Sequence, residues 1–239
     1  MIKTELIEYH HKGTVLEGFF ASADTGESQT AVLICHPWAG RNQFVCDKAV
    51  ELAEMGYAAF AVDMYGKGVL GVSIEENRGL MQPFMDDRAL LQRRMIVALE
   101  TARCLEQVDS QRIVVIGYCF GGLCALDLVR TGVDLQGVVS FHGLLAIPDN
   151  TQGFTTKAKV LVLHGHDDPM ASSEDVLALQ NELTEAGADW QMHIYGNTMH
   201  AFTNPEASDP GFGTVYNQRA DDQSWKSLQN FLDALIHTV

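Results

Sequence analysis

Ile113-Val114-Val115-Ile116-Gly117-Tyr118-Cys119-Phe120-Gly121-Gly122 is the stretch on which the reading of this chain turns. Four β-branched residues in a row suit a strand buried on both faces. The glycines that follow let the backbone reverse sharply and enter a helix without steric conflict, which puts Cys119 at the apex of a strand–turn–helix. That is the setting of a nucleophile elbow, G-x-S-x-G in its usual form, here with cysteine for serine and one further glycine. A side chain at that apex meets the unpaired N–H groups at the start of the helix, a place that stabilises negative charge.

Outward from this strand the pattern alternates. Residues 3–9 and 14–21 read as an edge hairpin turning through 10–13. The apolar run 31–35 reads as a buried strand ending in His36-Pro37-Trp38-Ala39-Gly40-Arg41-Asn42, with Asn42 as N-cap of a helix whose stripe is Val45, Ala49, Leu52 and Ala53 and whose stop is Gly56. Residues 57–63 form the next strand and 64–72 a glycine-punctuated loop. The 73–107 region is helical in two pieces, with the break expected at Pro83. Beyond the elbow come a helix to about residue 130, a strand over 137–141 and another over 157–163. A helix opened by the capping box Ser172/Asp175 follows, then a last strand over 190–195. A long loop from 197 to 215 leads into a closing helix with Trp225, Leu228, Phe231, Leu232 and Leu235 on its apolar stripe. This predicts an α/β fold: a mostly parallel sheet of about seven or eight strands with helices on both faces. Residues 1–239 read as one domain, with a possible small cap within 64–95.

Composition narrows the function. The 239 residues are 46% hydrophobic, and 16 basic against 31 acidic side chains leave a net charge of −15, which repels nucleic acid and anionic membranes. No apolar run approaches the length of a membrane span, and the N-terminal residues have no secretion-signal pattern. Five cysteines, Cys35, Cys46, Cys104, Cys119 and Cys124, are odd in number and contain no C-x-x-C pair, which fits a reducing compartment and a cytoplasmic location. The nine histidines show no metal-ligand spacing, so no metal and no cofactor is expected.

In a parallel sheet ligands bind beyond the carboxyl ends of the strands, where the loops holding Cys119, Asp168 and His200 converge. Acyl transfer needs a nucleophile, a base within reach of it and a carboxylate that orients the base. These three residues can fill those roles in that order. Asp167 competes with Asp168, and His36, His142, His164, His166 and His193 compete with His200, which alone follows the last strand. The backbone N–H groups of Trp38 and Phe120 are the natural oxyanion donors.

Gly117-Tyr118-Cys119-Phe120-Gly121-Gly122, His164-Gly165-x-x-Asp168 and His200-Ala201-Phe202, with Asp63-Met64-Tyr65-Gly66-Lys67-Gly68, resemble the dienelactone hydrolase family of α/β-hydrolases over most of the chain. The resemblance implies a Cys119–His200–Asp168 triad and hydrolysis of an ester or lactone. Two departures bear on substrate. Family members that open dienelactone carry a glutamate in the oxyanion loop, where Pro37 stands here, and an arginine four residues after the histidine, where Asn204 stands here. Without that guanidinium the expected substrate is neutral or broadly chosen. His36, Trp38, Phe202 and Asn204 are the candidate substrate-binding residues. The partner expected is a small-molecule ester, lactone or phosphotriester, and the protein a monomer or homodimer. Two alternatives stand beside ester hydrolysis: a promiscuous hydrolase of activated aryl esters and phosphotriesters, and a hydrolase-shaped binding module whose triad is idle.

Overall fold

The computed structural model describes residues 1–236. Among them eight strands make one sheet: β1 (Ile2–His11), β2 (Thr14–Ala23), β3 (Gln29–Cys35), β4 (Ala58–Ala61), β5 (Val108–Tyr118), β6 (Gly137–Phe141), β7 (Lys159–Gly165) and β8 (Asp189–Tyr195). Their order across the sheet is β1-β2-β4-β3-β5-β6-β7-β8. The β1–β2 and β2–β4 pairs are antiparallel and all the rest are parallel. The helices are α1 (Gln43–Glu54), α2 (Ile74–Asp86), α3 (Arg88–Arg103), α4 (Phe120–Arg130), α5 (Ser173–Glu185) and α6 (Gln218–Ile236). This is the α/β-hydrolase architecture expected from the alternation of patterns.

Strand alternation sends successive side chains to opposite layers. Leu33, Val115, Val138 and Val160 pack with α3, α4 and α5, whereas Ile34, Ile116, Val139 and Leu161 pack with α1 and α6. Burial on both faces explains the apolar runs 31–35 in β3 and 113–116 in β5, and every residue of the short β6 is buried.

Three elements depart from expectation. The edge hairpin turns in two residues, with His11 paired to Thr14, because Lys12 (φ 48°) and Gly13 (φ 81°) both take the left-handed conformation such a tight turn requires. Pro83 lies inside α2, and the break comes at Asp87 (φ −124°, ψ 85°), whose side chain accepts the Leu90 N–H at 2.8 Å and so caps α3. The long loop after β8 contains a short hairpin, β9 (Ser208–Asp209) with β10 (Thr214–Val215). Asn42 precedes α1 as expected, but its side chain makes no capping hydrogen bond.

Helix α4 carries the elbow, and a buried ionic network fixes its position. Asp127, 0% exposed, accepts two hydrogen bonds from Arg88 at 2.6 Å each and one from Arg130 at 3.0 Å, while Arg130 also donates to Glu182 at 2.7 Å. α3, α4 and α5 are thereby tied together. Removing one member leaves buried charge unpaired, so Asp127→Ala is expected to lower the unfolding free energy by about 3–5 kcal/mol, measured by urea denaturation. A cost below about 1 kcal/mol would mean that the network does not hold the helix.

Candidate active site

Cys119 sits between β5 and α4 with φ 56° and ψ −118°, a strained geometry that costs on the order of 1–3 kcal/mol and persists only where neighbours enforce it. They do so here. The Cys119 N–H donates to Phe141 O on β6 at 3.0 Å, and its carbonyl accepts the Gly122 N–H at 2.9 Å. The flanking glycines are required by space: a methyl on Gly121 would meet the carbonyl of Cys35, and one on Gly117 the carbonyl of Gly121. The thiol is half-buried.

β7 ends in the acid loop. Asp168 is buried, its Oδ1 accepts the Met170 N–H at 2.8 Å, and its Oδ2 lies 2.8 Å from His200 Nδ1. Asp167 is exposed. His200, 1% exposed, is gripped through its backbone by the small hairpin: its N–H donates to Gly213 O at 3.0 Å and its carbonyl accepts the Val215 N–H at 3.1 Å. In the sequence the hairpin is marked by its turn residues Pro210-Gly211 and by Gly213, which takes φ 85° and packs on Pro169.

With Nδ1 engaged by Asp168, His200 Nε2 has no aligned hydrogen-bond partner among the described residues and lies in the field of Cys119. Burial opposes an imidazolium here. The negative charge of a Cys119 thiolate and the contact with Asp168 outweigh it, and together they push the His200 pKa up to about 10. Such an arrangement can pass a proton from sulfur to imidazole.

The competing histidines are otherwise employed. His142 is buried, its Nε2 lies 2.8 Å from Thr203 Oγ1, and its ring stands edge-on to His200 at 5.1 Å. Burial, with the positive charge of His200, holds its pKa well below the usual range. Burial also lowers that of His164. His193 pairs with Ser227 at 3.1 Å, and His166 is exposed on the surface.

The expected substrate-binding residues divide. Trp38 is half-buried, and its ring stacks on Phe212 at 5.7 Å, 23° between planes. Among the described residues neither the Trp38 nor the Phe120 N–H donates to a backbone carbonyl. His36 is 0% exposed with both ring nitrogens engaged, so it holds the loop and cannot meet substrate. Phe202, also 0% exposed, packs edge-on against His142 and Tyr195 in the core. Asn204 is exposed, and its Oδ1 accepts the Glu206 N–H at 3.1 Å within its own turn. Phe212 was missed in the sequence because only the hairpin carries it to Trp38.

The dienelactone hydrolase family model matches residues 16–236. A solved structure described as a dienelactone hydrolase-like promiscuous phosphotriesterase from metagenomic libraries superposes with a TM-score of 0.92 at 32% identity, covering 98% of both chains. An uncharacterised protein of Caenorhabditis elegans is 33% identical over 150 residues, 62% of this chain and 95% of its own length. A Saccharolobus solfataricus relative, provisionally named carboxymethylenebutenolidase, is 24% identical over 262 residues, 95% of this chain and 96% of its own length. Among the described residues no helix is long and apolar enough to cross a membrane. The family match spans the elbow, the acid loop and the histidine loop alike, and on it the chain belongs to the dienelactone hydrolase family and is a hydrolase.

Proposed function

We propose that this protein hydrolyses neutral carboxylic esters or lactones through an acyl-cysteine intermediate. The observation that carries the reading is the buried His200–Asp168 contact of 2.8 Å, with His200 Nε2 left open in the field of Cys119. The Cys119 thiolate adds to the carbonyl carbon, and the carbonyl electrons move to oxygen, where the Trp38 and Phe120 N–H groups receive the charge. Collapse breaks the C–O bond to the leaving group, which takes the proton held on His200. A water molecule then gives a proton to His200 as its oxygen attacks the thioester. Collapse of that adduct releases the acid and restores the thiolate–imidazolium pair. Asp168 holds the ring orientation throughout.

Neutral substrates are favoured by the residues at the two departures. Pro37 carries no charge, and Asn204 lies on the surface with its oxygen occupied, so neither offers a grip on a substrate carboxylate. The cysteine inventory and the net charge of −15 support a cytoplasmic protein acting on small molecules. Residues 1–239 are proposed to act as one domain, with a small cap over the site within 64–95.

The test is an acid quench during turnover of p-nitrophenyl butyrate, followed by intact and peptide mass spectrometry. Expected is a butyryl adduct on the peptide containing Cys119, together with turnover of neutral esters well above that of the anionic dienelactone. Absence of any adduct under single-turnover conditions, or a preference for dienelactone, would refute the proposal. A second reading, attack on aryl phosphotriesters, is favoured by the likeness to the promiscuous phosphotriesterase. It predicts a burst of phenolate followed by a slow steady state, as phosphoryl-cysteine hydrolyses slowly.

A further inference from the structure

Trp38 stands between two peptide planes, and a side chain holds each of them. The Met64 N–H donates to His36 Nε2 at 3.2 Å, which leaves the ring proton on Nδ1, and Nδ1 donates to the carbonyl of Pro37 at 2.7 Å. That carbonyl belongs to the same peptide unit as the Trp38 N–H. On the other side the Tyr65 hydroxyl donates to the Trp38 carbonyl at 3.0 Å. A planar trans peptide cannot swing its N–H without swinging its C=O, so His36, by holding the Pro37 carbonyl, fixes the direction of the Trp38 N–H, and Tyr65 holds the peptide plane that follows, which limits rotation about the Trp38 Cα.

The strut that supplies Tyr65 is itself anchored by side chains. Asp63 Oδ1 accepts the N–H groups of Tyr65 at 2.9 Å and Gly66 at 3.0 Å, and Asp63 Oδ2 accepts that of Glu17 at 3.0 Å. Arg94 donates to Met64 O at 2.7 Å. The Tyr65 ring stacks on Phe120 at 6.0 Å, 21° between planes, and stands edge-on to His36 at 4.8 Å. One side chain therefore contacts both segments that carry the proposed oxyanion donors.

We infer that Tyr65 is a positioning residue which, with His36, pre-aligns the Trp38 and Phe120 N–H groups for the oxyanion. The inference rests on the acyl-cysteine reading above. Donors stabilise a transition state most when they are oriented before charge develops, because no reorganisation then opposes the reaction. Pro37 serves the same end. Its ring fixes φ and it has no N–H to compete for the site.

Tyr65→Phe removes the hydroxyl and keeps the ring contacts. For p-nitrophenyl acetate its kcat is expected to fall roughly 10- to 100-fold, with KM changed by no more than about twofold and the thermal transition unchanged. Alkylation of Cys119 by iodoacetamide forms an S–C bond as iodide leaves and develops no oxyanion, so its rate should match wild type. A residue with only a structural role would lower both rates or neither. The inference is overturned if kcat stays at the wild-type value, or if alkylation slows in step with hydrolysis, which would place the action of Tyr65 on the thiol. Hydrolysis that survives Cys119→Ala at full rate would remove the underlying reading, and this inference with it.

Discussion

Cys119→Ala is expected to reduce kcat for p-nitrophenyl acetate by a factor on the order of 10⁴ or more, since under the proposed acyl-cysteine mechanism it removes the nucleophile and so disables all three residues at once. The variant should remain folded. Alanine keeps the Cβ that cysteine already presents at φ 56°, so it adds no backbone strain, and the half-buried thiol donates no hydrogen bond that the core depends on. Steady-state rates beside a thermal melt decide the matter: activity lost at an unchanged melting temperature supports covalent catalysis. Equal rates in wild type and variant would favour the alternative in which the site binds but does not turn over.

Asp168→Asn tests the geometry around the base. The carboxylate accepts from His200 Nδ1 at 2.8 Å and so places the second ring nitrogen toward sulfur. An amide that donates there instead selects the wrong tautomer, and kcat should drop roughly 10³- to 10⁴-fold with KM little changed. The same substitution has a signature in stability. The His200 pKa is raised to about 10 in the folded protein, against an unfolded value of about 6.5. The native imidazole therefore keeps a proton to a higher pH than the unfolded imidazole does. Its contribution is complete below pH about 6.5 and is lost as pH rises through the folded value. The gap in urea midpoint between wild type and Asp168→Asn should accordingly be widest near pH 6 and narrow towards pH 10. A gap that stays constant over that range would show that the imidazolium does not bind Asp168 in the way described.

Several features were legible because they are local. The run 113–116 with its glycines dictated a buried strand, a sharp turn and a helix, and the structure has all three, with Cys119 in the turn. Ser172 and Asp175 announced a capping box, and both of its reciprocal bonds are present. Chain order placed Asp168 and His200 after the strands that do precede them, β7 and β8. Pro83 misled, since a single missing N–H did not end α2 where a competing cap at Asp87 could begin α3.

Which of two adjacent aspartates faces the histidine, that Phe202 and His36 are buried out of a substrate's reach while Asn204 lies on the surface, and that Phe212 returns to Trp38 were decided only in three dimensions. The physical reason is the range of the interactions. Strand and helix periodicity, glycine turns and caps depend on neighbours a few residues away, so the amino-acid sequence alone determined the layered α/β fold and the place of Cys119 in the turn between strand and helix. Burial of a single side chain, and the aim of a single N–H group, depend on contacts between segments far apart in the chain. Tyr65 and Trp38 are separated by 27 residues, His200 and Asp168 by 32, and only the tertiary structure brings each pair together.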